Sequence, residues 1–105
     1  MAYIFGAGIR KSATLPLTVA PAGMNCSFEL WLSPDGSTKI VTSGMRAFVS
    51  TGIVQAFSVT IDLPARAGDY KVLVDVLIEG QMFGGFMDPT HVLIPDVNIG
   101  PIVWA

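Results

Sequence analysis

AFSVTIDLPARAGDYKVLVDVLI, residues 56–78, is the stretch from which the fold can be read. Phe57, Val59, Ile61 and Leu63 alternate with Ser58, Thr60 and Asp62, the period of two that gives a strand one apolar and one wet face. From Tyr70 the alternation resumes, with Tyr70, Val72, Val74, Val76 and Ile78 on one side and Lys71, Asp75 and Glu79 among the residues opposite. The Asp75 side is therefore expected to be the wetter one. Pro64 cannot donate to a sheet ladder and Gly68 carries no Cβ, so the residues between the two runs read as a short connection.

Working outward, the same period recurs. Residues 13–19 place Leu15, Leu17 and Val19 on one face, and Pro16 assigns that strand to a sheet edge. Residues 25–33 set Phe28, Leu30 and Leu32 inward and Glu29 and Trp31 the other way, so Trp31 is expected to be partly exposed, over a corner or in an interface. The turn SPDGS at 33–37 returns the chain through a strand at 38–43. After Gly44, Met45, Ala47 and Val49 alternate with Arg46 and Phe48, as one bent strand or two short ones. Residues 80–90 combine Gly80, Gly84 and Gly85 with Met82, Phe83, Phe86 and Met87, which reads as an extended β-arm or loop whose aromatics cap the core, or as an exposed recognition loop. His91 to Ile94 offers a last core strand.

No helix longer than two turns can be placed without Gly, Pro or β-branched clusters, so about seven strands and their turns predict an all-β antiparallel sandwich. The 105 residues suffice for one such domain, assigned to 13–94, with an N-terminal arm at 1–12 and an apolar tail at 95–105. Hydrophobic residues make up 51% and charged residues 13%, about half the usual charged share, which fits either a thin two-layer domain with much Ser and Thr on its wet faces or a surface partly covered by another subunit or domain. The net charge is -2 and the six basic residues are scattered, which gives nucleic-acid binding no support. No apolar run approaches a membrane span, and the positive residues Arg10 and Lys11 follow the apolar ones, the reverse of a secretory leader. Localisation stays open among virion, cytoplasm and a mature secreted chain.

DLPARAGDYKVLVDV, residues 62–76, resembles the end of strand E, the E–F connection and strand F of immunoglobulin-like and fibronectin type III-like sandwich domains. The resemblance implies that Tyr70 forms the tyrosine corner, with its ring at the core edge and its hydroxyl on nearby backbone. Gly68 and Pro64 shape the connection before it. The cysteine pair of antibody domains is missing, so the likeness is to the broader class, which implies a fold and no activity.

Chemistry-bearing clusters are scarce. Cys26 is the single cysteine and His91 the single histidine, and no GxSxG elbow, spaced zinc ligand set or paired carboxylates accompany them. Asp88, Asp96 and Asn98 could offer oxygen to a cation but follow no EF-hand series. The expectation is a protein that is not an enzyme and needs neither metal nor cofactor: a structural or assembly protein forming a homo-oligomer, virion association being one setting. The alternative is a glycan- or protein-binding module. Tyr3, Phe5, Trp31, Phe83, Phe86 and Trp104 are the candidate interface or binding residues for both.

Overall fold

Alternation decides not only where the strands run but which of them share a core. The computed structural model describes residues 2–104, with only the backbone of Gly84 and Gly85. Among the described residues there are eight strands and no helix: β1 (Ala2–Ile4), β2 (Arg10–Thr18), β3 (Asn25–Ser33), β4 (Val41–Thr42), β5 (Arg46–Val49), β6 (Val54–Asp62), β7 (Gly68–Ile78) and β8 (Gln81–Ile94). Six of them form one sheet in the order β1-β8-β7-β3-β4, with β5 also on β3; β2 and β6 form the other. All pairings are antiparallel except that of β1 with β8. The result is sandwich-like and open, with one strand more than the expected seven or so.

The inward rows meet as their period requires. Phe28 of β3 lies opposite Val76 of β7, Leu30 opposite Val74 and Leu32 opposite Val72, and all face Phe57, Val59 and Ile61 of β6. Phe28 is fully buried, with the rings of Phe57 and Phe48 at 4.9 and 5.9 Å. Phe48 therefore marks the inner face of β5, while Met45 and Val49 are exposed. A second cluster gathers Leu32, Ile61, Leu63, Tyr70, Val92 and Ile94. The middle region is two short strands laid along successive parts of β3, and Gly44, at φ 82, makes the corner between them.

The connection after β6 carries the chain from the small sheet to the large one. There Tyr70 is 5% exposed and its hydroxyl donates to the Arg66 carbonyl at 2.7 Å. Pro64 is buried, and its carbonyl accepts from the Gly8 N–H at 2.9 Å. A Cβ on Gly68 would stand 3.4 Å from the Tyr70 ring, so the bare backbone there lets the ring in.

Two expectations are corrected. Residues 81–94 are one continuous strand: of the readings for 80–90 the extended β-arm holds, and it runs unbroken into the strand expected at His91–Ile94. Glu79 and Gly80, at φ 50 and 78, supply the two consecutive left-handed positions of a tight hairpin, and two register shifts absorb the surplus residues of β8. Phe83 and Phe86 do not cap the core; they are 52% and 58% exposed. The Asp75 side of β7 is also not the wet side at its centre, because Trp31, Leu73 and Asp75 are all buried. The 33–40 loop folds over that face: a Cβ at Gly36 would lie 3.6 Å from Lys71 Cδ and 3.7 Å from Met87 Cε, and Lys39 reaches further inward.

Candidate interaction surface

On the outer face of the large sheet, the pairing of β3 with β7 sets Glu29 directly opposite Asp75, an unfavourable pair unless a cation intervenes. Lys39 supplies it. Its Nζ lies 2.6 Å from Glu29 Oε1, 3.5 Å from Asp75 Oδ2 and 5.0 Å from the centre of the Trp31 ring. The Thr42 hydroxyl donates to the second Glu29 oxygen. Burial pushes the Glu29 carboxyl up, but the hydrogen bonds from Lys39 and Thr42, with the Lys39 charge, outweigh it and hold the group below the ordinary value. The hydrogen bond to Glu29 in turn raises Lys39. Each charge in this cluster is engaged by its neighbours, which leaves no free acid or base. Trp31, expected to be partly exposed, is 6% exposed beneath Lys39, and its Nε1 has no partner among the described residues. The missing signal was the loop: Lys39 is expected within a strand at 38–43, but the strand covers only Val41–Thr42 and residues 34–40 are loop, so nothing in the spacing announced the lid over Trp31.

The remaining polar candidates are engaged locally. Asp88 Oδ1 accepts from the main chain and hydroxyl of Thr90, Asp96 accepts from Asn98, and His91 pairs with Asp69. Buried Cys26 donates its thiol to the Met24 carbonyl. No group of three His, Cys, Asp or Glu side chains comes together among the described residues. Among the described residues no helix is long and apolar enough to cross a membrane.

The apolar candidates lie elsewhere, along the opening between the sheets. Because β2 pairs only with β6, its other edge is open, and beside it a cleft of about 340 Å³ reaches between the layers to Leu30, Ile61, Val74 and Val92. A shallower recess of about 240 Å³ adjoins it at Leu17, Val76 and Phe86. Tyr3 and Phe5 stand at the mouth of the cleft, stacked 6.0 Å apart with their planes 13° from parallel, and the Lys11 ammonium sits 4.7 Å from the Phe5 ring. Phe5 is half-buried and Tyr3 exposed. Trp104 lies far out on the tail, 85% exposed, with Val97, Ile99, Ile102 and Val103 also uncovered. Thus β1 and the segment after it bring Tyr3 and Phe5 together, β8 presents Phe83 and Phe86 separately, Trp104 stands apart, and Trp31 is out of reach on the far face. Sequence reading missed the part played by Leu15, Val74 and Val92, since residues on apolar strand rows look like closed core whether or not a second layer fully covers them.

No protein-family model, curated protein or solved structure matches the chain.

Proposed function

We propose that this is a noncatalytic assembly domain, an immunoglobulin-like sandwich that works as a homo-oligomer, with a structural part of a virion as one setting. The observation that carries the reading is the amount of apolar surface left outside both cores. Tyr3, Ile4, Met82, Phe83, Phe86 and Met87 on the β1 and β8 strands, and five tail side chains, are all exposed. Leaving large apolar side chains in water forgoes roughly 1.5–3 kcal/mol apiece, which association can recover in part. The Tyr70 hydroxyl on the Arg66 carbonyl, at the passage from one sheet to the other, supports the immunoglobulin-like assignment. A glycan- or protein-binding module has less beneath it, since among the six aromatic candidates only Tyr3 and Phe5 stack on each other. Sedimentation velocity across a wide concentration range tests the reading. An assembled species with an interface above about 1,000 Å² is expected. A monomer at every concentration refutes it.

A further inference from the structure

We infer that the cleft beside β2 is the seat of the C-terminal tail of a second copy: residues 96–104 of one chain add to the free edge of β2 in its neighbour and put Val97, Ile99 and Val103, which share one side of an extended strand, between the two sheets. The inference rests on the assembly reading and names the contact that would carry it.

The edge itself shows where a strand can add. The Leu63 N–H donates to the Ile9 carbonyl at 2.8 Å, which makes that pair a hydrogen-bonded one. Continuing the register, Lys11, Ala13, Leu15 and Leu17 direct their main chain at β6, while Ser12, Thr14, Pro16 and Thr18 direct theirs outward. Pro16 thus stands at an outward position, where its missing N–H leaves the β6 ladder intact but interrupts the free edge. An added strand pairs at Ser12 and Thr14 and ends near Pro16, and that half of β2 is the half that borders the cleft.

The tail has the matching chemistry. Between Pro95 and Trp104 it carries one charge, Asp96, and its five large apolar side chains are exposed with no strand partner among the described residues. The radius of gyration of 17.2 Å exceeds the roughly 13 Å of a compact chain this long, as an extended tail requires. Its own cleft is poorly placed to receive it. The chain leaves β8 at Ile94, where Pro95 follows, and β1 lies along His91–Leu93 between that exit and the opening. Burying Val97, Ile99 and Val103 removes roughly 350 Å² from water, about doubled by the cleft wall covered in return. Main-chain pairing to an edge with side chains in a groove is a general mode of strand recognition.

The test uses the full chain. Thr14→Pro removes one outward N–H, as Pro16 already does, and Ile99→Asp places a charge on an exposed tail side chain of the row that enters the cleft. Circular dichroism checks the fold and sedimentation velocity reads the assembly. Each variant is expected to weaken assembly roughly tenfold to a hundredfold with the fold unchanged. If Thr14→Pro disturbs the fold, Ile99→Asp decides alone. Undiminished assembly of the folded variants places the contact on another surface and overturns this inference while leaving the assembly reading intact. A parent protein that stays monomeric overturns both.

Discussion

Lys39→Met removes the charge that stands between Glu29 and Asp75 while keeping an aliphatic cover over Trp31. The two carboxylates are 13% and 12% exposed and the lysine 39%, so the cost falls between that of breaking a surface pair, under 1 kcal/mol, and a buried one, 3–5 kcal/mol: about 1–2 kcal/mol near neutral pH. The pH dependence makes the test specific. In the parent, the Glu29 carboxyl lies below its ordinary value, so its contribution is fully present above the unfolded carboxylate pKa of about 4 and is lost as pH falls through the folded value. In the variant Glu29 faces Asp75 without a cation, which favours its protonated form, so that contribution changes sign and stability falls as pH rises through the same region. Urea unfolding of both proteins between about pH 3 and about pH 7 should show a small gap at the acid end that widens to about 1–2 kcal/mol at the neutral end. Parallel curves with a constant gap would refute the reasoning, since they would mean that Lys39 acts only by covering Trp31.

Tyr70→Phe keeps the ring and removes the bond to the Arg66 carbonyl; about 1 kcal/mol should be lost, and an unchanged urea midpoint would show the corner bond to be idle. Phe28→Ala empties the most enclosed aromatic site, between Phe48 and Phe57. It should cost about 3–5 kcal/mol by chemical denaturation, and a loss under about 1 kcal/mol would mean that the two sheets close over the gap.

The sandwich was legible where one side of a strand is apolar and the other polar. Phe57, Val59, Ile61 and Leu63 show this, as do Phe28, Leu30 and Leu32, because a period of two survives any choice of partner. It failed at the Asp75 face. Whether Trp31 and Leu73 see water depends on where the 33–40 loop comes down, and that is settled by Lys39 finding two carboxylates brought together by register. It failed also over 80–90, where glycines and Pro89 break the alternation although a bulged strand can still pair there. The site was half legible: the aromatic residues outside the cores were visible as surplus. The cleft was not, since it exists because a two-stranded layer lies over a wider one.

The parallel pairing of β1 with β8 bears on the order in which the molecule can be made. Ala2, Tyr3 and Ile4 meet His91, Val92 and Leu93, partners that lie almost the whole chain away. During synthesis the first strand must wait until the last has emerged. For that interval Tyr3 and Ile4 have no edge to join, and Val92 lacks its neighbour across the ladder. Closing so long a loop is entropically expensive and belongs among the slow, late steps of folding, when the chain is most exposed to capture by other molecules. The residues that complete the domain's own sheet are thus the last to be protected.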